Sequence, residues 1–343
     1  MKKIKFTPRL LLLAALLAFM LVFPQIFNRP YLLAIMITTF YIGCASLAWS
    51  ILGGMIGQVS LGHAAFMGLG AYISTVLLQK LHLSPWLSMI VVFFVVGALI
   101  ALLMIPCFGL KGAYFSLATI AFGEMFINLF TNWAFVGGGQ GLMLGIGKDS
   151  FWMLRFKSKV PYYYVALGML IAFYIIVRRI DRSKLGYAFK TIREDEGTAN
   201  AIGINPQRYK TIATFLSAGM VAVVGVFYAN YIRYINTDIM SQAESLSFVL
   251  PAVIGGVSTV EGPILGALII VPISQYLSST LGSVLPGANL VVYACILIGV
   301  ILFQPAGLLG WFYHSALKKK IDAKMGVKTA DAHTETESKA EKE

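Results

Sequence analysis

The feature that most constrains this chain is a series of apolar runs, among them residues 31–52 and 85–106, each long and almost free of charge. A helix rising 1.5 Å per residue needs about 20 such residues to cross a hydrocarbon core of about 30 Å. In lipid the backbone must satisfy its own polar groups, which leaves helices or closed barrels. The alternating, turn-punctuated pattern of barrel strands is absent. The class is therefore all-α, a polytopic transmembrane helical bundle. Composition agrees: 58% of the 343 residues are hydrophobic, 12% are charged and mean hydropathy is +0.78. A soluble fold of this length cannot cover that much apolar surface.

Ten spans are expected: Leu10–Phe27, Tyr31–Leu52, Ala64–Leu81, Pro85–Pro106, Ala113–Trp133, Tyr162–Arg178, Thr211–Ile232, Leu246–Val257, Ile264–Leu281 and Ala288–Phe303. The eighth is short for a spanning helix, so the expected count runs from eight to ten. Lys2, Lys3, Lys5 and Arg9 precede the first run, but no small-residue cleavage site follows it. Pro24, Asn28 and Pro30 read as a turn, so a retained first span is expected rather than a cleaved signal.

A net charge of +12 in a soluble protein would suggest nucleic acid. Here the cations sit between apolar runs, where they set orientation. A cytoplasmic N-terminus and ten spans put residues 178–210 and the C-terminus inside, with Arg178, Arg179, Arg182, Lys184, Lys190, Arg193, Arg208 and Lys210 in the central segment. One segment dissents: Trp133–Pro161 falls outside yet carries Lys148, Arg155, Lys157 and Lys159. From Ser315 onward both signs of charge mix without Phe, Trp or Tyr, which reads as a disordered cytoplasmic tail over 315–343 after a permease domain over 1–314. Cys44, Cys107 and Cys295 lie singly in apolar runs, and neither a disulfide nor a metal site is expected.

The central segment, 182–210, is far too charged to span a bilayer. Its apolar positions Leu185, Phe189, Ile192, Ala199 and Ile202 recur mostly at helical spacing and predict an amphipathic helix. Such a helix lies on the membrane surface or docks in a partner's groove. The acidic run Glu194-Asp195-Glu196 disfavours a purely lipid-binding role. No GxxxxGK[ST] motif occurs anywhere in the chain, so P-loop ATP chemistry would need another subunit.

Two glycine-rich breaks interrupt the apolar runs, Gly53–His63 and Gly255–Pro263. Interrupted helices at corresponding places in two halves point to a repeat with the transport path at its interface; ordinary helix-breaking loop chemistry is the alternative. Gln58, Ser60 and His63 are candidates to line that path, with a helix-start polar cluster as the bland reading of His63. Glu124 is the clearest intramembrane charge, and Asn128 lies one turn further on the same helix face. A charge at mid-membrane costs about 3 kcal/mol, so Glu124 is expected to face the bundle interior or a wet cavity, as a pathway residue or a structural hydrogen-bonding group.

Several segments together resemble LivM-type permease subunits of bacterial branched-chain amino acid ABC importers: GQVSLGHAAFMGLGAY at 57–72, LATIAFGEMF at 117–126, NWAFVGGGQG at 132–141, IREDEGTANAIGINPQRYK at 192–210, FLSAGMVAVVGVFYA at 215–229, VIGGVSTVEGPILGA at 253–267 and FQPAGLLG at 303–310. The resemblance implies a bacterial inner-membrane importer. In it this chain pairs with a second permease subunit, ABC ATPase subunits that use ATP and Mg, and a periplasmic substrate-binding protein; this chain itself needs no cofactor. Branched-chain or related amino acids are the implied substrates, with urea, amides or other small solutes as the alternative. The resemblance also makes Glu196–Gly203 the ATPase-coupling loop. Ala199 and Gly203 match its pattern, Thr198 replaces its first Ala, and Gly197 stands at its usual Glu position beside Glu196. Coupling is thereby assigned to Arg193, Glu194, Asp195, Glu196, Gly197, Ala199 and Gly203. An ion-coupled transporter would carry several intramembrane charges, where this chain has only Glu124 as a clear one.

Overall fold

The computed structural model describes residues 19–27, 29–145 and 149–281 of the chain. The order is α1 (described over 19–26), α2 (Pro30–Ser50), α3 (His63–Leu81), α4 (Pro85–Met104), α5 (Ala113–Asn132), α6 (Lys159–Asp181), α7 (Lys184–Glu194), α8 (Glu196–Ala201), α9 (Pro206–Ile232), α10 (Gln242–Gly255) and α11 (Gly262–Leu281). Among the described residues the one strand pair is β1 (Leu142–Met143) against β2 (Tyr234–Ile235), antiparallel, with Leu142 opposite Ile235. Proline in the first turn opens α2, α4 and α9, where its missing N–H has no helical partner to lose. Ser158 caps α6 and Asn205 caps α9 through their side-chain oxygens.

Helix α9 is the axis of the bundle and packs against α4, α3 and α2. Lipid offers helices no hydrophobic reason to associate, so their contact depends on close packing of small residues. Gly97 of α4 lies against the Phe215 carbonyl, where a Cβ would come within 2.8 Å; Gly219 of α9 lies reciprocally against the Phe93 carbonyl at 2.7 Å. At the other contact, a Cβ on Gly70 would overlap the Ala222 carbonyl, and one on Gly225 would overlap the Met67 carbonyl. The outer side of α4 instead exposes Leu87, Ile90, Phe94 and Leu102, a surface suited to lipid.

Inter-helix hydrogen bonds sort the helix ends into two faces. On one lie α7 and α8, the Arg178–Glu261 pair, and the bonds of Lys210 to Phe108 O and of Ser116 to Val59 O. On the other lie β1 and β2, with Ser84 bonded to Trp152 O, Tyr162 to Asn230 O, and Tyr31 to Ser279. The helices α2 to α6, α9 and α11, and α10 together with the inward-dipping stretch before it, carry the chain between these faces; Ser245 in the first turn of α10 already accepts from the Ala64 N–H at the start of α3. Seven of these eight are long and apolar enough to cross a membrane. The eighth, α10, has 14 residues, about 21 Å of helix. It still returns the chain, because α9 ends beside β2 and α11 begins beside Glu261. The approach to α10 dips inward: Met240, 1% exposed, fills the notch at Gly68 of α3.

Among the described residues, seven helices of spanning length and a short eighth occupy eight of the ten expected spans. Residues 10–18 of the expected first span, the whole tenth and the 315–343 tail lie outside the described residues. The central segment is two helices rather than one. Asp195 is extended (φ −159°, ψ 121°) and breaks α7 from α8, which resets the helical register. Phe189, Ile192 and Ala199 face inward as expected, whereas Ile202 is 65% exposed.

Candidate functional site

The site is assembled where the two glycine breaks meet α7. α2 runs into a π-helical turn, Ile51–Met55, a geometry that loosens the regular hydrogen-bond ladder. Gly54 in that turn lies against the second break: a Cβ there would stand 2.6 Å from Val257 O. Gly57 (φ +83°) and Gly256 (φ +118°) then turn the chain through conformations that L side chains rarely adopt. The second break closes tightly as well, since Gly255 and Gly262 are in mutual backbone contact.

Arg193, in the last turn of α7, reaches over both breaks. Its Nη1 donates to Gly54 O at 2.7 Å and to Ser258 Oγ at 3.3 Å, and its Cγ stands 3.0 Å from where a Cβ on Gly57 would be. A small cavity beneath it is lined by Ser50, Lys190, Ser258 and Thr259, among others, and Lys190 pairs with Asp181 at 2.6 Å. Arg178 of α6 forms an ion pair with Glu261 of the second break, and Tyr174 also donates to Glu261.

Behind the first break a polar chain crosses three helices. Ser217 of α9 donates to Ala48 O at 2.7 Å, which uses its only proton. His63 Nε2 must therefore be the donor in its 2.9 Å bond to Ser217, while Nδ1 meets Ser60 Oγ at 2.8 Å. His63 and Ser60 are both fully buried, and Trp49 Nε1 donates to Ser60 O. The structure thus places His63 as a brace between α2, α3 and α9. Gln58 is buried too, and its Oε1 has no hydrogen-bond partner among the described residues.

Glu124 and Asn128 lie elsewhere, on the outer side of α5. Asn128 donates back to Glu124 O and Asn132 to Asn128 O, each at 2.8 Å, so these amides serve their own helix. The Glu124 carboxylate is exposed and meets no partner among the described residues. It faces away from this chain's own interior, where the sequence reading had offered the bundle interior as one destination. Nearby, Thr131 bonds Thr237 on the stretch leading into α10.

Of the coupling residues, Arg193, Glu194, Asp195, Gly197 and Gly203 are exposed, as are Tyr187, Thr198 and Ile202 of the same segment, and Ala199 is buried. Asp195 caps α8, accepting from the Thr198 N–H, and that bond holds its carboxyl below the ordinary range. Glu196 bonds Lys210 Nζ at 2.6 Å, and Lys210, 1% exposed, also donates to Phe108 O at 2.9 Å. Arg193, although exposed, thus bonds Gly54 O, and Glu196 bonds Lys210. Sequence reasoning placed Lys210 only as an orientation charge and overlooked Ser217, Ser258 and Glu261. The available signals were a charge and a hydroxyl inside the apolar run after Pro206, and a lone acid in the second break. The run Gly137–Gly141 forms short turns ahead of β1.

The sequence matches the family described as branched-chain amino acid transport system / permease component over residues 31–303. It is 24% identical over 322 residues to the high-affinity branched-chain amino acid transport system permease protein LivM of Escherichia coli, covering 87% of this chain and 74% of that one. It is 24% identical over 285 residues to LivH of Salmonella typhimurium, covering 77% of this chain and 90% of that one. Among solved structures, PsaBC from Streptococcus pneumoniae in complex with Fab is similar at a TM-score of 0.44 and 16% identity, over 84% of this chain and 96% of that chain.

Proposed function

Because this chain belongs to the permease components of branched-chain amino acid transport systems, we propose that it is the membrane path of an ATP-driven importer for branched-chain amino acids. It is a multi-pass membrane protein, and ATP and Mg are used by a partner ATPase rather than by this chain. A periplasmic binding protein delivers the substrate on the face carrying β1 and β2, and the ATPase docks on the face carrying α7 and α8, in the cytoplasm together with both termini. A second permease subunit lies against the outer side of α5. Between the two subunits, Glu124 and Asn128 line a wet path, while Gln58, Ser60 and His63 hold the first break from behind.

The observation that carries this reading is the surface of α7 and α8. Tyr187 and Ile202 stand 67% and 65% exposed on a segment that also exposes Glu194, Asp195 and Gly197 and that Arg193 ties to the first break. Exposed apolar side chains on a charged segment too polar for the bilayer suit a protein groove. Nucleotide-driven motion there would bias the spans between two arrangements.

The test is purification in mild detergent followed by reconstitution in proteoliposomes. An ATPase chain is expected to co-purify, and leucine uptake should require ATP and the binding protein. Uptake driven by an ion gradient alone would instead make the chain a secondary transporter.

A further inference from the structure

We propose that Arg193 is the positioning residue through which α7 moves both broken spans together, acting as a clasp across the two glycine breaks rather than as a contact to the ATPase. This rests on the reading of the chain as a partner-driven permease. Three observations carry it. One guanidinium nitrogen bonds Gly54 O of the first break and Ser258 Oγ of the second, so a single rigid group spans both. The breaks already touch each other at Gly54 and Val257, so displacing one displaces the other. Gly57, in the left-handed region, leaves just enough room for the Arg193 side chain to lie flat, with 3.0 Å to the missing Cβ.

The chemistry suits a transmitter. The π-helical turn and the glycines leave the Gly54 carbonyl turned to a side chain rather than buried in a regular ladder. A guanidinium bond to such a carbonyl is charge-assisted and stronger than a neutral one. The Ser258 hydroxyl, exposed and at longer range, is the weaker half of the clasp. A push on the outer side of α7 therefore reaches α2 and α10 at once, in the segments where each helix is least regular and most easily bent. Arg178 and Lys190 reinforce the same corner but span less: Arg178 holds only the second break, and Lys190 pairs with Asp181.

The experiment uses the whole complex in proteoliposomes, with radiolabelled leucine uptake and phosphate release measured on the same vesicles. Arg193→Ala is expected to lower leucine imported per ATP hydrolysed by about tenfold, the factor that a lost charge-assisted hydrogen bond commands. Ser258→Ala, which removes one exposed hydroxyl, should lower the same ratio about threefold, as for a weak neutral bond. The double variant should be no worse than Arg193→Ala alone, because both remove one clasp. A merely structural role would reduce both rates in proportion, and an unchanged ratio in Arg193→Ala overturns the proposal. Additive losses in the double variant overturn it too, and an unchanged ratio in Ser258→Ala does so even where Arg193→Ala fails to assemble. Absence of ATP-driven uptake in the unmodified complex would instead overturn the transport reading on which the clasp depends.

Discussion

Lys210 shows how much the identity of one neighbour matters at the residue scale. It is buried at the start of α9, held by Glu196 and a carbonyl, while the Glu196 side chain is 38% exposed. Removing either partner is therefore not symmetrical. Glu196→Ala strands a buried cation and should cost about 3 kcal/mol, the lower end for breaking such a pair. Lys210→Met leaves Glu196 with water to turn to and should cost less. The melting temperature of the detergent-solubilised protein checks this, and equal losses would count against it. Asp195 gives a pH prediction of known sign. Its bond to the Thr198 N–H holds the folded carboxyl below the unfolded value of about 4. The cap's contribution is then complete above about pH 4 and is lost as pH falls through the folded value. Asp195→Asn keeps an acceptor oxygen but nothing to titrate. Its melting temperature should lie below the parent's at pH 7 and converge on it in acid, so that its acid limb is shallower, and an unaltered acid limb would refute the assignment.

At the scale of elements, helix contacts depend on absent side chains. Gly70→Leu would force α3 from α9 and should cost upwards of about 3 kcal/mol, seen as lost folded yield. Gly168→Leu on α6 is the control, because nothing lies within 4 Å of the position its Cβ would take. Similar losses at both sites would show that the close approach of α3 to α9 is not what matters. The outer side of α5 makes a different demand. Glu124 is unpartnered within the described chain, and a lipid-facing carboxylate would cost about 3 kcal/mol. A water-lined path shared with a second subunit removes that cost. Glu124→Leu should accordingly lower uptake about tenfold, the equivalent of one lost polar contact, without lowering yield. Undiminished uptake would return Glu124 to a structural role.

Across the whole molecule, the arrangement is two faces joined by helices of unequal length. The basic loop that dissented from the charge rule lies on the face opposite α7. There Lys159 donates to Pro30 O, and Arg233 on the same face donates to Phe156 O, so part of this charge is tied into the fold. Orientation is open to direct measurement. With the native cysteines replaced, Thr198→Cys should react with an impermeant thiol reagent only in inside-out vesicles. Trp152→Cys, at a position 70% exposed on the other face, should react only in right-side-out vesicles. Reaction of both from one side would refute the two-face topology.

What the sequence determined alone was class and punctuation. Long apolar runs dictate helices in a membrane, because lipid offers backbone groups no other partner. Eight of the ten expected spans lie largely within the described helices, and the expected shortness of the eighth is the 14-residue α10. Both glycine breaks and the polar segment were legible, since Gly and charge are local signals. What only the tertiary structure decided was direction. The side chains of Arg193 and Glu196 read as outward charges by composition, yet they bond Gly54 and Lys210, residues 139 and 14 positions away. His63 and Ser217, 154 positions apart, meet for the same reason. Periodicity assigns a face to a residue but not the neighbour that the face meets. That neighbour depends on helix packing distances set by glycines hundreds of ångströms of chain apart, which no local pattern encodes.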